Sequence, residues 1–181
     1  ATHAMVKAPP DGYTLMFSGM GAWVLDPYLL KNPGYDPDRD MVPIGMIYEQ
    51  DRLTIAAHPD VPVKNLQDLI AYAKGRPGKV NYGITNVVLL VMVGKWLNHL
   101  AGTDMVGVTY KTAAQQMQDV LGGRIDWIVA APPQLESFIK AGKLRVLAVD
   151  GIGRFQMWPD VPSIGELFPG YRTSGMGIMA G

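Results

Sequence analysis

The chain has 181 residues, 48% hydrophobic and 18% charged, a balance that supports a packed core and excludes a disordered chain. Sixteen basic and sixteen acidic residues cancel to a net charge of zero, which removes the electrostatic footprint of a nucleic-acid binder. The absence of cysteine excludes disulfides, thiolate metal sites and a cysteine nucleophile.

Ala4-Met-Val-Lys-Ala8 reads as the last turn of a helix whose beginning lies upstream, and this start has neither the basic residues nor the apolar core of a signal peptide. Pro10-Asp-Gly12 signals a turn. A strand over Tyr13–Ser18 then empties into Ser18-Gly-Met-Gly-Ala22, a flexible loop ahead of a short helical stretch near Trp23 to Leu30. In α/β sheets, loops at the carboxyl ends of strands hold ligands. Residues 31–40, rich in Pro, Gly and Asp, read as loop, and strands follow at Val42–Tyr48 and Leu53–Ala57. His58-Pro-Asp-Val-Pro62 is a stiff connection.

Asn65 is placed to cap a helix running to Lys74, with Asp68 at the third position and Leu66, Leu69, Ile70 and Ala73 as its buried stripe. Lys79–Gly83 is the next strand. The loop Gly83-Ile-Thr-Asn86 follows, with Thr85 or Asn86 as cap of a helix reaching about Leu100. A helix start presents unpaired N–H groups and partial positive charge, so this is the preferred seat for a carboxylate.

Val106–Val129 reads as strand, turn, helix and strand. Thr112 is the N-cap, Ala114, Met117 and Leu121 recur at helical spacing toward a sheet, and Gly122 occupies the left-handed C-terminal position. Ile125, Trp127 and Val129 alternate on one face of the following strand, Ile128 and Ala130 on the other. Strands apolar on both faces and separated by a helix point to a parallel sheet covered on both sides. Ala130-Ala-Pro-Pro133 is a third strand-end loop, with Pro133 at the first helical position. A helix to Ala141, a strand over Leu144–Val149, a long loop to Pro162 and a short helix capped by Ser163 complete the order. Tyr171–Ala180 then returns to the first part of the chain.

Val108-Thr-Tyr-Lys111, Asp119-Val-Leu-Gly-Gly-Arg-Ile-Asp126 and Ile139-Lys-Ala-Gly-Lys-Leu-Arg-Val-Leu-Ala-Val149 together carry a resemblance. With Pro10-Asp-Gly-Tyr-Thr-Leu15, Pro77-Gly-Lys-Val-Asn-Tyr-Gly83, Pro159-Asp-Val-Pro162 and Pro169-Gly-Tyr171, they form an ordered series similar to the substrate-binding proteins of tripartite tricarboxylate transporters, the Bug family. The resemblance implies an α/β, two-lobed periplasmic-binding-protein type II fold, incomplete at both ends. Each lobe would hold a mixed, mostly parallel sheet flanked by helices. One lobe would comprise residues 1–59 and 171–181, the other residues 60–170, with the stiff connection at His58–Pro62 as a crossing. Relatives carry further chain on both sides, so the expectation is a central segment of a longer protein.

The implied role is an extracytoplasmic, periplasmic receptor that closes around a small carboxylate and presents it to membrane permease subunits, with no enzymatic step and no cofactor. No nucleic-acid partner and no direct membrane insertion are expected. The most apolar run, Val87–Val93, is far short of the ~20 residues that span a bilayer. Candidate ligand-binding residues are Ser18, Gly19 and Gly21 from the first loop and Gly83, Thr85 and Asn86 from the second, with Tyr110 and Lys111 behind them. Lys111 reads either as a charge reaching a cleft or as a solvated strand-end lysine, and Tyr110 as cleft wall or core.

The strand-end loops depart from the family pattern. Relatives place small polar residues in G-S-x-G-x-G/S-S/T at the second loop, where this chain keeps Gly83 but has Ile84, Asn86, Val87 and Val88. The usual Y-K-G-x-x-P-A is Tyr110-Lys-Thr-Ala-Ala-Gln-Gln116, and an Asp or Asn common in relatives is replaced at Ala130-Ala131. Two explanations stay open: a less polar ligand such as an aromatic or long-chain carboxylate, walled by Met20, Trp23 and Ile84, or a scaffold with altered binding. The rival classes are an α/β enzyme and a non-transport interaction domain. Against the enzyme, His3, His58 and His99 lack ligand spacing, Ser18 is not in a G-x-S-x-G elbow, and the Gly175-Met-Gly-Ile-Met-Ala180 fingerprint has no visible helix behind it.

Overall fold

A computed structural model describes residues 2–19, 21–50, 53–85, 87–171 and 175–180, with backbone alone for residues 29, 48–50, 88 and 175–180. The chain divides into two compact units, Ala1–Gln50 with Ser174–Gly181, and Asp51–Thr173.

The first unit is built on three strands, β1 (Met16–Gly19), β2 (Pro43–Gln50) and β8 (Gly175–Ala180), in the order β1-β8-β2. β8 runs antiparallel to both neighbours, and β2 carries register shifts after Pro43 and Met46. The mostly parallel sheet expected in each lobe is therefore not the arrangement of these strands. The chain returns between β1 and β2 in the opposite sense to both. A small core of Met5, Met16, Tyr35 and Met41 forms against α1 (Thr2–Val6), with Val6, Ala22 and Trp23 packed on it. Gly21–Leu25 forms a π-helical turn leading into α2 (Asp26–Leu29). The expected 31–40 loop contains α3 (Pro37–Asp40), because Asp36 accepts from the Asp38 N–H at 3.1 Å and Pro37 takes the first helical position. β1 is shorter than the sequence suggests, leaving Tyr13 and Leu15 exposed before it.

The second unit holds five strands: β3 (Thr54–Ala57), β4 (Asn81–Thr85), β5 (Val106–Tyr110), β6 (Trp127–Ala130) and β7 (Arg145–Val149), in the order β5-β4-β6-β3-β7. β4 is parallel to β5 and β6, whereas β3 is antiparallel to β6 and β7, so four of the five strands run the same way. The sequence reading groups β3 with the first lobe. In the structure β3 is buried along its whole length between β6 and β7, as the apolar Ile55-Ala56-Ala57 requires. β5 and β6, read as one strand–helix–strand unit, are separated by β4.

Five helices cover this sheet: α4 (Leu66–Lys74), α5 (Val88–Ala101), α6 (Ala113–Leu121), α7 (Pro132–Lys140) and α8 (Ile164–Leu167). Ile55, Tyr82, Trp127 and Leu147 join Leu66, Leu69, Val93, Leu97 and Ile164 in one core. Ala56, Ile128 and Ala130 join Val120 and Leu135 in another, together with Ile125, which the alternation had placed with Trp127. The caps form as local chemistry dictates. Asn65 accepts from the Asp68 N–H at 2.8 Å, while Asp68 takes the Lys64 N–H at 2.9 Å. Ser163 and Glu166 form a reciprocal capping box, each accepting the other's N–H at 3.2 Å.

Three local readings change. α6 buries Gln116 and Val120, with Met117 and Leu121 partly covered and Ala114 exposed. The left-handed glycine after α6 is Gly123 (φ 65°), one residue beyond Gly122 (φ −87°). α7 begins at Pro132, one residue before Pro133.

Candidate functional site

Because β4, β5 and β6 run the same way, the helices that follow them start at the same edge of the sheet. Their N-termini differ chemically. At α6, Thr112 Oγ1 accepts from the Gln115 N–H at 3.3 Å. At α7, Pro132 and Pro133 have no N–H to offer, and the Ala131 N–H donates to Gln134 Oε1 at 3.3 Å. At α5, the N-cap is Val87, which is 56% exposed and carries no capping side chain. That corrects the expected Thr85 or Asn86 cap: β4 extends through Thr85, and Asn86 lies outside the described residues, as does Met20. The Leu90 and Val91 N–H groups both donate to the Val87 carbonyl, at 3.0 and 3.2 Å. The N–H groups of Val88 and Leu89 are left without an intrahelical acceptor. Among the described residues, α5 is the terminus of these three that combines N–H groups with no side-chain cap.

Gly83 lies inside β4 rather than in the loop. A Cβ there would stand 2.6 Å from Ile125 Cδ1 and 2.9 Å from Gln116 Cγ. The buried Gln116 amide donates to the Gly83 carbonyl at 2.7 Å. Close packing thus accounts for this glycine by itself. Thr85, the last residue of β4, is half-buried and pairs in register with Tyr110, the last residue of β5.

The Tyr110 hydroxyl donates to Asp119 Oδ2 at 2.8 Å, and Arg124 holds Asp119 Oδ1 at the same distance. Burial, then the Asp119 carboxylate, pushes the Tyr110 phenol up to about 12. The Arg124 guanidinium, then the Tyr110 hydroxyl, holds Asp119 below its usual range. Tyr110 is thereby tied to α6. Lys111 is exposed and makes no ion pair among the described residues.

In the first unit, Ser18 sits half-buried near the end of β1, and its Oγ accepts from the Trp23 indole N–H at 3.2 Å. Tyr35 donates its hydroxyl proton toward both the Ala22 carbonyl (2.8 Å) and Asp26 Oδ2 (3.0 Å), pinning the π-helical turn. Burial, then Asp26, pushes the Tyr35 phenol up to about 12. Gly19 and Gly21 have ordinary φ values, and a Cβ on either would meet nothing within 4 Å. Neither packing nor conformation requires glycine at these two positions.

Seven of the eight candidates lie among the described residues and fall in two groups, Ser18, Gly19 and Gly21 in one unit, and Gly83, Thr85, Tyr110 and Lys111 in the other, the last three at one sheet edge. Val87 and Gln116 were not singled out from sequence, because neither residue type announces a polar role at its position. No cluster of three or more His, Cys, Asp or Glu residues able to hold a metal occurs among the described residues. No helix of the described residues is long and apolar enough to cross a membrane.

The profile of the family described as "Tripartite tricarboxylate transporter family receptor" matches residues 1–181. A UPF0065 protein of Bordetella bronchiseptica is 33% identical over 180 residues, covering 99% of this chain and 53% of the relative. Protein BugT of Bordetella pertussis is 29% identical over 176 residues, 96% of this chain and 54% of that protein. Among solved structures, the R. palustris protein Rpa4515 with adipate superposes with a TM-score of 0.86 at 26% identity, and periplasmic binding protein BugD with 0.84 at 28%. Each covers 99% of this chain and 60% of the other. The chain thus spans about half the length of the relatives it matches. The α/β periplasmic-binding-protein fold expected from the sequence motifs is the fold of these neighbours.

Proposed function

We propose that this chain, which belongs to the tripartite tricarboxylate transporter receptor family, is the ligand-binding part of a periplasmic solute receptor. It takes a small carboxylate and presents it to the permease subunits of a tripartite transporter. The two compact units are read as the two lobes of such a receptor. No bond is made or broken. The work is done by the difference in ligand affinity between open and closed states.

The observation that carries this reading is the N-terminus of α5, where the Val88 and Leu89 N–H groups lack an intrahelical acceptor and Val87 supplies no cap. An anion is the natural partner of such an end, through the backbone and the helix dipole alone. Loss of the family's small polar side chains at this loop therefore leaves carboxylate binding intact. Thr85, the last residue of β4, lies toward the same end, with its register partner Tyr110 and Lys111 next along the sheet edge and Gly83 within β4 as a packing residue; Asn86 stays a candidate by sequence alone. Ser18, Gly19 and Gly21 of the first unit are read as a further ligand contribution, their open glycines suiting close approach of a ligand to backbone. The adipate in the structure of Rpa4515 supports a dicarboxylate as the first ligand to try. Trp23 favours one with an apolar body, whereas Ile84, expected as a second apolar wall, is buried in the core and offers none.

The test is thermal unfolding of the full-length protein with succinate, citrate, adipate and terephthalate. A ligand at one hundred times its dissociation constant adds about 2.7 kcal/mol of stability, a shift of several degrees. A shift with one or more of these acids supports the reading. Flat curves across the panel from well-folded protein overturn it in favour of an interaction domain on the same fold.

A further inference from the structure

We propose that Trp23 is a positioning residue that makes Ser18 a dedicated hydrogen-bond donor to the ligand carboxylate; the inference rests on the receptor function proposed above. A serine hydroxyl has one proton to give and two lone pairs to receive, and free in solution it serves donors and acceptors alike. Here the Trp23 indole N–H occupies a lone pair of Ser18 Oγ at 3.2 Å. Indole nitrogen only donates, so it cannot take the serine's own proton in return. Among the described residues Trp23 is the one hydrogen-bond partner of Ser18 Oγ, so the hydroxyl proton stays available to an acceptor. A carboxylate, which only accepts, is the matching ligand group.

The rest of the loop holds this donor pair in place. The Trp23 ring packs on the core of Met5, Met16, Tyr35 and Met41, which fixes where its N–H points. Tyr35, itself buried, clamps the turn through Ala22 and Asp26. That turn is π-helical, a rare geometry concentrated at functional sites. Gly19 and Gly21 have open space where side chains would be and no positive φ to explain them. A backbone kept bare for neither packing nor conformation, beside a serine with its proton to spare, is the arrangement of a ligand-approach loop.

The test is a double-mutant cycle by isothermal titration of the full chain with adipate, or with whichever panel acid gives the largest thermal shift. Trp23→Phe keeps an aromatic ring, though a smaller one, and removes the N–H; Ser18→Ala removes the donor. Each single variant is expected to weaken binding roughly ten-fold, the loss typical of one hydrogen bond to a charged group. The double variant is expected to bind within about two-fold of Ser18→Ala alone, since Trp23 acts through Ser18. Should Trp23→Phe not fold, the benzothiophene analogue of tryptophan at position 23 offers the same ring size without an N–H. Wild-type affinity in Trp23→Phe, or an undiminished further loss in the Ser18→Ala background, overturns the inference while leaving the receptor function standing. Absence of binding by the wild type to every panel acid overturns both.

Discussion

The Tyr110 phenol donates to the Asp119 carboxylate at 2.8 Å, tying the last residue of β5 to the helix that follows it. Arg124, at the turn into β6, closes the group at 2.8 Å on the other carboxylate oxygen. These are residues of the family-like series Val108-Thr-Tyr-Lys and Asp119-Val-Leu-Gly-Gly-Arg, so part of that motif is bracing for the strand–helix–strand turn. Tyr110→Phe is expected to lower the thermal midpoint by about 2 °C, the effect of one net hydrogen bond in a chain of this size. Differential scanning fluorimetry of the unliganded protein checks it, and an unchanged midpoint would remove Tyr110 from the bracing.

What could be read from sequence, and what could not, divides along the range of the interactions. The caps at Asn65, Thr112 and Ser163 were legible because each is a side chain meeting a backbone N–H three residues away. The order of strands and helices followed from apolar periodicity. Strand neighbours did not: nothing local tells β4 to lie between β5 and β6, or β3 to enter between β6 and β7. Gln116 was missed because a glutamine reads as surface, and its burial depends on a carbonyl 33 residues away in sequence. Gly83 was read as a loop glycine for the same reason, since the side chains that forbid a Cβ there come from α6 and the β6 region. Ser18 and the loop before α5 are candidates because strand-end loops have recognisable composition, but the missing cap at Val87 is visible only in the backbone.

Gly94 faces Tyr82 across the α5–sheet interface. A Cβ on Gly94 would lie 2.2 Å from the Tyr82 ring, which is itself stacked on Trp127 at a centroid distance of 4.5 Å. Alanine is the better helix former by about 1 kcal/mol, yet overpacking against a ring with no room to retreat costs about 1–3 kcal/mol. Gly94→Ala is therefore expected to destabilise the protein in chemical denaturation. Adding Tyr82→Leu should recover part of the loss, which a simple helix-propensity account does not anticipate.

Gln116 is 2% exposed and its amide is a partner of the Gly83 carbonyl at 2.7 Å. Gln116→Ala removes that partner and opens space beneath β4, with an expected cost of about 1–3 kcal/mol from the buried carbonyl alone. Gln116→Glu keeps the shape but sets a carboxylate against the carbonyl, so it should be at least as destabilising near neutral pH and partly recover in acid. Urea midpoints at about pH 7 and 4 check both.

The pH dependence of stability follows from groups with opposite shifts. Arg124 holds Asp119 below its ordinary 3.8, the Ser163 N–H and Arg154 hold Glu166 below 4.5, and Arg39 holds Asp40 below 3.8. A carboxyl with a depressed folded value binds protons more weakly than in the unfolded chain. Its contribution is present above the unfolded value and lost as pH falls through the folded one. Tyr35 and Tyr110 run the other way: raised from 10.0 to about 12, they stabilise the fold below pH 10 and lose that contribution as pH rises toward about 12. The thermal midpoint should fall below about pH 4.5 and again above about pH 10. Asp119→Asn should flatten the acid limb, and Tyr110→Phe the alkaline one.

The N-terminus of α5 invites a single substitution whose two effects oppose each other. Val87 stands at the N-cap with extended backbone (φ −78°, ψ 114°), a conformation that aspartate adopts readily, and its side chain is largely exposed. Val87→Asp places a carboxylate where it accepts a first-turn N–H and meets the positive end of the helix dipole, a stabilisation of about 0.5–2 kcal/mol. If the same N–H groups seat the ligand carboxylate, the new side chain competes for them and repels the ligand by charge. The expected outcome is a higher melting temperature without ligand and a loss of the carboxylate-induced shift. Val87→Asn separates the terms, because it caps without a net charge and should weaken binding less. A Val87→Asp variant that is stabilised yet keeps its full ligand response would move the carboxylate seat away from α5, since an occupied and charged helix end cannot still hold a second anion at undiminished affinity.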